Sequence, residues 1–280
     1  MKLWFHRWWP AVLGVGLLGA ALIAREPREL GAWFGAPELA NDATIAKAVN
    51  RAVAVGLNRA DVFLNDYGFA GFGVYDLDKV RGLVRALQAA GIRCSLTTWA
   101  RPSVDWCNGI RDVVGPLANE LGCDITFDLE EPWTVALKNA SGLDVQTWTD
   151  RLFAVRDTAP HADLAVTCIV YGNLHVLSAA LNACDTIIPQ AYATFTNTSG
   201  MKPGELERIA VRRYEGFGKR IVMGAAAWNL LGAYGTRTPR EAIAASARAT
   251  WALPVAGVRY WRIGWLYGEV AEAIRRGHTA

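Results

Sequence analysis

The sequence predicts an α/β protein built as a single (β/α)8 (TIM) barrel, for three reasons. Short β-rich runs alternate with amphipathic helical stretches from Arg28 onward, an alternation that favours parallel strands joined by crossover helices. There are eight such strand–helix pairs, which is the number that closes a barrel of about 250 residues. The chain has 280 residues, of which 52% are hydrophobic and 20% charged, so it can bury the core of one large domain.

The candidate strands are rich in β-branched, aromatic or small apolar residues and are bounded by turn residues. We expect strands at 32–35, 61–65, 93–99, 124–130, 162–171, 186–193, 221–228 and 258–264. Helical patterns fall between them, at 42–55, 76–91, 108–121, 145–159, 174–182, 204–214, 239–251 and 269–276. A doubly wound open sheet is the alternative fold, but the Gly-rich phosphate turn it usually carries after the first strand is absent from the sequence.

The N-terminal segment, residues 1–28, is different in kind. Lys2, His6 and Arg7 precede a run from Trp8 to Ala24 that carries no charge. This is the layout of an export signal. The uncharged run is just long enough to span a bilayer. A cleaved signal peptide and a retained signal anchor both remain open, and a buried core helix is a third interpretation. We expect residues 29–280 to form the barrel and to be exported, either secreted or periplasmic, or membrane-anchored through residues 8–24.

Charge and cysteine usage exclude several function classes. The net charge of +3 is spread along the chain with no basic run, so nucleic acid is not an expected partner, and contact with a membrane is expected only through the N-terminal segment. The 5 cysteines include no C-x-x-C pair, so no zinc or redox site is expected. Cys94, Cys123 and Cys168 fall in or beside strands, where buried free thiols are the ordinary state, although export would permit a disulfide. No metal site, nucleotide loop or catalytic Ser-His-Asp set is visible, and we expect a monomer without a cofactor.

The carboxyl ends of the predicted strands carry polar and aromatic residues, and these ends form the active-site face of a barrel. Aromatic rings pack against the C–H faces of sugars, while amides and carboxylates bind their hydroxyl groups. The pattern therefore predicts a polysaccharide partner, although core packing is the alternative for each tryptophan. The candidate substrate-binding residues are Asp66, Trp99, Tyr171, Gln190, Trp228, Asn229 and Trp261.

One strand, "DITFDLE", carries a polar residue at every second position. Asp124, Thr126, Asp128 and Glu130 would share one face and apolar residues the other, because side chains alternate along a strand. If the polar face points to the barrel axis, Asp128 and Glu130 stand at the mouth about 6.6 Å apart along the strand. Burial of such a pair raises at least one pKa and so makes a proton donor at neutral pH. The alternative is that the pair binds backbone groups or an arginine such as Arg101.

The stretch "FDLE" at 127–130 resembles the tail of the D-x-D-x-E signature of family 18 chitinase-like glycoside hydrolases. "QAY" at 190–192 is similar to the segment that carries their inward tyrosine, and Trp261 lies where such enzymes have the tryptophan at the floor of the substrate site. This resemblance implies that Glu130 is the general acid, that Asp128 orients the acetamido group of the substrate, and that Tyr192 holds the oxygen of that group.

The sequence also departs from this family. Thr126 stands where the signature has its first aspartate, the usual preceding Asp-Gly is absent, and Ala193 follows Tyr192 in place of aspartate. The D-x-E pair also resembles that of the family 25 lysozymes, but the first strand, "GAWFGA", lacks their aspartate. Glu131 would point away from the axis, so we expect it in a loop or a helix cap.

The chemistry of the pair favours one substrate class. A 2-acetamido sugar can supply its own nucleophile, so one proton donor and one steering carboxylate suffice. The sequence therefore predicts an exported glycoside hydrolase that cleaves an amino-sugar polymer, either peptidoglycan or a chitin-like chain. A catalytically inactive barrel that binds glycans or another envelope component is the alternative. A third possibility is a hydrolase of neutral polysaccharide that uses Asp66 or Asp128 as a second carboxylate.

Overall fold

A computed structural model describes residues 28–65, 68–192, 200–227 and 239–279. Within these residues eight parallel strands form a closed barrel in chain order, and the last strand pairs with the first. This closure confirms the (β/α)8 barrel and excludes the open doubly wound sheet. No helix within the described ranges has the length and apolarity needed to cross a membrane. The candidate export segment, 8–24, lies outside them.

The strands lie where the sequence predicts them, and β3 has the expected bounds. The strands are β1 (Glu29–Phe34), β2 (Arg59–Phe63), β3 (Arg93–Trp99), β4 (Asp124–Asp128), β5 (Leu164–Ile169), β6 (Thr186–Ala191), β7 (Arg220–Ala226) and β8 (Gly257–Trp261). The expected bounds of β4 were wrong at the carboxyl end. The strand stops at Asp128 because Glu130 already caps the helix that follows.

The helices alternate with the strands on the outside of the barrel. They are α1 (Asp42–Val55), α2 (Leu77–Ala89), α3 (Val104–Gly109), α4 (Gly115–Leu121), α5 (Glu131–Leu137), α6 (Gly142–Phe153), α7 (Leu174–Ala183), α8 (Glu205–Tyr214), α9 (Pro239–Trp251) and α10 (Gly268–Thr279). A π-helical turn, Ile110–Val114, joins α3 to α4, so the helix expected at 108–121 starts earlier than predicted, after the cap Ser103. The short helix α5 was not predicted.

Local signals in the sequence explain where the helices start and stop. The Asn41 side chain accepts a hydrogen bond from the amide of Thr44 at the start of α1, and Gly56 ends that helix with a φ of 81°. Asp76 caps α2 in the same way. The apolar face of α2 is fully buried and consists of Val80, Leu83, Val84 and Leu87.

The outward-facing side chains of the strands pack against the helices and form the main core. Phe127 of β4, for example, contacts Phe153 of α6 with 5.2 Å between ring centroids. All five cysteines are buried free thiols, in agreement with the interpretation of Cys94, Cys123 and Cys168 as ordinary core residues. Burial raises the pKa of the Cys123 thiol to about 12, so the thiol stays protonated and unreactive.

The amino-terminal end of the barrel interior is filled by charged side chains that pair with one another. Arg259 of β8 donates hydrogen bonds to Asp61 at 2.5 Å and to Glu29 at 2.9 Å. Arg59 pairs with Asp124 at 2.5 Å. Asp124, the first member of the polar stripe on β4, therefore belongs to a structural network at the base of the barrel.

Candidate active site

The upper members of the β4 stripe lie at the mouth of the barrel. Asp128 is the last residue of β4 and is 3% exposed. Glu130 is held by the start of α5, where its carbonyl oxygen accepts hydrogen bonds from the amides of Thr134 at 2.9 Å and Trp133 at 3.1 Å. Because Trp133 is completely buried in the core, α5 is firmly seated and fixes the backbone position of Glu130.

Gln190 of β6 connects the two carboxyl groups. Its side-chain amide donates to Asp128 Oδ1 at 3.5 Å and to Thr167 Oγ1 at 3.1 Å, and a hydrogen bond from Gln190 also acts on Glu130. Gln190 is itself buried. Gln190, which the sequence predicts to bind substrate, therefore contacts both carboxyl groups from β6, and its role toward a substrate stays a prediction.

Burial changes the acidity of both carboxyl groups. It raises the pKa of Asp128 well above its usual range, and the neighbouring charge of Glu130 raises it further, against a smaller opposing effect of the Gln190 hydrogen bond. Burial also raises the pKa of Glu130. The two groups interact strongly enough that they lose their protons as a pair. At least one proton is thus retained at a pH where isolated carboxyl groups are ionised, as a general acid requires.

Tyr192 follows the last residue of β6 and lies close to the pair. It is 7% exposed. Burial raises the pKa of its phenol well above the usual range, and the charges of Glu130 and Asp128 raise it further. The hydroxyl group therefore remains protonated and can act as a hydrogen-bond donor beside the carboxylates. The structure brings Asp128, Glu130, Gln190 and Tyr192 together.

An aromatic cluster fills the barrel below the side of the mouth that lies opposite β4. The ring of Trp261, at the end of β8, lies 6.0 Å from that of Trp33 and contacts the Phe63 ring edge-on at 5.4 Å. Trp33 was not predicted as a site residue, although its position on the inward face of β1 was a usable signal. Its buried indole N–H has no hydrogen-bond partner among the described residues.

Two adjoining cavities open at the mouth and share Trp99 as a common wall. The first has a volume of about 110 Å³ and includes Trp33, Phe63, Trp261 and Arg262 in its lining. The second has a volume of about 530 Å³ and is lined by Trp99, Arg101, Glu130, Glu131, Pro132, Val135 and Ala136. Together they form a cleft that runs from β8 past Trp99 to the candidate acid.

The remaining predicted residues fall in different places. Tyr171 lies beyond the end of β5 and is 51% exposed, so it stands at the rim rather than in the cleft. Asp66, Trp228 and Asn229 lie outside the described residues. Glu131 is exposed and is the first residue of α5, as expected for a helix-cap neighbour. Among the residues that the structure describes, no group of His, Cys, Asp and Glu side chains could hold a metal ion.

Thr126, the point of departure from the family 18 signature, has a clear structural role. Its hydroxyl group lies 2.8 Å from that of Ser95 and donates to Asp61 Oδ1 at 3.2 Å. An aspartate at this position would place a second buried carboxylate against Asp61, which is completely buried. The position therefore belongs to the charged network at the base of the barrel.

Comparison with known proteins identifies the fold but no family, because no family model and no curated protein matches the chain. A GH113 β-1,4-mannanase matches at a TM-score of 0.64 and 12% identity, over 91% of this chain and 99% of the mannanase. A chitinase from Chromobacterium violaceum matches at 0.62 and 13% identity, over 90% and 99%. A xylanase-α-amylase inhibitor protein in complex with trehalose matches at 0.58 and 15% identity, over 88% and 97%. The chain thus shares the barrel of several glycoside hydrolases and of an inhibitor protein, and chitinases are one group among them.

Proposed function

We propose that the chain is a glycoside hydrolase that cleaves an amino-sugar polymer, with Glu130 as general acid and Asp128 as the carboxylate that steers the acetamido group. The observation that carries this proposal is the buried pair Asp128 and Glu130 at the mouth, which is joined through Gln190 and of which Glu130 lines the cleft beside Trp99. Tyr192 lies where its hydroxyl group can hold the acetamide oxygen. The mannanase and the chitinase with the same fold support the general class of activity.

The distribution of acidic groups supports a nucleophile that comes from the substrate. Hydrolases with two protein carboxylates hold them on either side of the scissile bond. In the described part of the barrel, Asp128 at the end of β4 and Glu130 at the start of α5 lie on the same side of the mouth, and the inward positions at the ends of β7 and β8 are Ala226 and Trp261. This arrangement suits a 2-acetamido sugar, whose own carbonyl oxygen can attack the anomeric carbon, better than a neutral polysaccharide.

The proposal is tested by the release of reducing ends from chitin-like and peptidoglycan chains. The acetylated polymer should be cleaved, while the same polymer after removal of its N-acetyl groups should not, because the internal nucleophile is lost. Cleavage of the deacetylated polymer at an equal rate would show that the protein supplies the nucleophile. A neutral polysaccharide would then become the better candidate.

A barrel that binds glycans without cleaving them is the second candidate function. The inhibitor protein with the same fold was solved with trehalose bound, so this barrel can serve proteins that are not named as hydrolases. The departure at Thr126 also supports this candidate. Tight binding of an amino-sugar polymer without any release of reducing ends would favour it over catalysis.

We also propose that residues 1–28 direct export of the barrel domain, 29–280, on the basis of the apolar run from Trp8 to Ala24 behind a basic flank. Mass spectrometry of the expressed protein should show either a chain that starts near Arg25 or an intact Met1 in the membrane fraction. An intact N-terminus in the soluble cytoplasmic fraction would contradict both forms of the proposal.

Trp261 is expected to provide a stacking surface for one sugar ring. Trp261→Ala should weaken oligosaccharide binding by about 1–3 kcal/mol, the contribution of one aromatic contact and its buried area, as measured by calorimetry. Trp148→Ala is the matched control, because Trp148 is also half-buried but lies on the outer helix α6. Unchanged binding together with a large fall in melting temperature would show that Trp261 serves only the core, through Trp33 and Phe63.

A further inference from the structure

Arg262 is an unusual residue for the aromatic side of the cleft. It directly follows Trp261 and lines the smaller cavity, whose other walls include Trp33, Phe63 and Trp99. Its side chain is half-buried, and the Nε atom is fully buried without a hydrogen-bond partner among the described residues. A guanidinium group without partners loses hydration when it is buried, so the position is costly unless a ligand completes it.

The buried arginines of the barrel interior, Arg59 and Arg259, also have an Nε atom without a hydrogen-bond partner, but unlike Arg262 both form ion pairs. Arg259 is paired with Asp61 and Glu29, and Arg59 with Asp124. Arg262 forms no ion pair within the described ranges, because no carboxylate oxygen there lies within 4.0 Å of its guanidinium nitrogens. Its cationic group is thus not neutralised by the part of the protein that the structure describes.

Glu38 is a carboxylate close to Arg262, and it has another role. One of its oxygens accepts a hydrogen bond from the amide of Gly35 at 2.8 Å and so fixes the turn after β1. Its other oxygen and the Nε atom of Arg262 each lie 3.4 Å from the position of a Cβ atom built on Gly264. Glu38 and Arg262 therefore both flank Gly264, but they form no ion pair with each other.

We infer that Arg262 binds a carboxylate carried by the substrate, so that the glycan recognised by this cleft contains a carboxylated sugar. A guanidinium group binds a carboxylate through two parallel N–H···O hydrogen bonds, and this geometry is specific for planar anions. Because Trp261 and Arg262 line the same cavity, a ring stacked on Trp261 would bring its substituents near Arg262. The inference rests on the proposed function and narrows its substrate class.

The position of Arg262 in the barrel is compatible with an anionic substrate. In the closed order of eight strands, β8 lies opposite β4, so Arg262 and the pair Asp128–Glu130 face each other across the mouth. A substrate carboxylate bound at Arg262 is thereby kept away from the acidic pair. A sugar chain that passes Trp99 can span the distance between Arg262 and Glu130. An uncharged chitin-like chain would leave Arg262 without a partner.

The experiment compares two ligands that differ in a single charge. The probes are an amino-sugar oligosaccharide with a 3-O-lactyl ether whose carboxylate is free, and the methyl ester of the same compound. The full chain carrying Glu130→Gln is used for calorimetry, because it should bind both compounds without cleaving them. The free acid should bind about 10- to 100-fold more tightly than the ester, the range expected for a hydrogen-bonded charge pair. Adding Arg262→Gln should abolish this preference and leave the affinity for the ester nearly unchanged.

Matched variants separate the inference from general effects of charge and folding. Arg208→Gln removes the same charge from the outer helix α8 and should leave the preference intact. Arg262→Lys keeps the positive charge but lacks the planar guanidinium group, so it should retain part of the preference for the free acid. This variant replaces Arg262→Gln in the experiment if Arg262→Gln does not fold. Equal affinity of the Glu130→Gln protein for acid and ester, or a preference that survives Arg262→Gln, would overturn the inference but not the proposed function. Failure to bind either compound would overturn both.

Discussion

Glu130→Gln is expected to lower turnover of an amino-sugar polymer about 10²- to 10⁴-fold while substrate binding is retained. The amide keeps the shape of the side chain but has no transferable proton, so only the step that protonates the leaving group should suffer. The measurement is kcat from the release of reducing ends, together with a binding constant from calorimetry. A loss of binding in place of turnover would indicate that Glu130 holds a sugar hydroxyl group instead.

Glu131→Gln is the matched control, because Glu131 is adjacent in sequence but exposed at the start of α5. It should change turnover little. If it proves as damaging as Glu130→Gln, the acid has been assigned to the wrong side chain. Asp128→Asn should also reduce turnover and should move the alkaline limb of the pH–rate profile to lower pH. The reason is that burial raises the pKa of both carboxyl groups and the charge of Glu130 raises the pKa of Asp128 further, so the pair retains a proton to a higher pH than Glu130 would alone.

The alternation of polar and apolar residues on β4 was sufficient to place Thr126 and Asp128 on the inward side of the strand, whereas Glu130 lies beyond the strand, at the start of α5. Thr126 forms a hydrogen bond with Asp61 of β2, and Asp128 forms one with Gln190 of β6. The even-numbered residues of β4 therefore face the barrel interior. Phe127 faces the helices. A period of two is a strong signal because it needs no knowledge of distant residues. The positions of the strands and of most helices could be predicted for the same reason, although their ends differ from the expected bounds by a few residues in most cases.

Contacts between distant segments could not be predicted. The pairs Arg259–Asp61 and Arg259–Glu29 join residues at opposite ends of the chain. No local pattern marks such pairs, so the ion-pair network at the amino-terminal end of the barrel, which includes Arg59–Asp124, was not predicted. The short helix α5 was missed because seven residues are too few to show a helical period, although Pro132 in its first turn is a typical start signal.

The aromatic side of the cleft shows a similar limit. Trp33 lies on a strand whose inward face could be identified, yet its contact with Trp261 depends on how β1 and β8 meet when the barrel closes. Gly224 of β7 lies beside this cluster, but the close approach that favours glycine there is to β6, because a Cβ atom would lie 3.1 Å from the carbonyl oxygen of Pro189 and 3.2 Å from Cα of Gln190. Such complementarity arises only in the folded barrel, and the sequence gives no local sign of it.

Arg259→Met is expected to lower the free energy of unfolding by about 3–5 kcal/mol, measured by urea denaturation at neutral pH. The substitution keeps much of the side-chain volume but leaves the buried carboxylates of Glu29 and Asp61 without their shared cation. Arg220→Met is the control, because Arg220 also pairs with Glu29, at 2.7 Å, but its side chain is 33% exposed. That pair should contribute about 0–1 kcal/mol, as partly solvated ion pairs do. Equal losses in the two variants would show that burial of the network is not what stabilises it.

The pH dependence of this loss identifies the groups responsible. Burial by itself would raise the pKa of Glu29, but Arg259 and the other arginines around it lower the pKa from the ordinary 4.5 to about 2. A carboxyl group with a lowered pKa stabilises the fold above its ordinary pKa, and this contribution disappears as the pH falls through the folded-state value. The difference in unfolding free energy between wild type and Arg259→Met should therefore shrink between about pH 4.5 and pH 2. Asp61 has the opposite effect on the pH dependence of stability. Burial raises its pKa despite Arg259, so its contribution to stability increases as the pH falls. A difference that stays constant across this window would mean that the loss comes from packing of the Arg259 side chain and not from its charge.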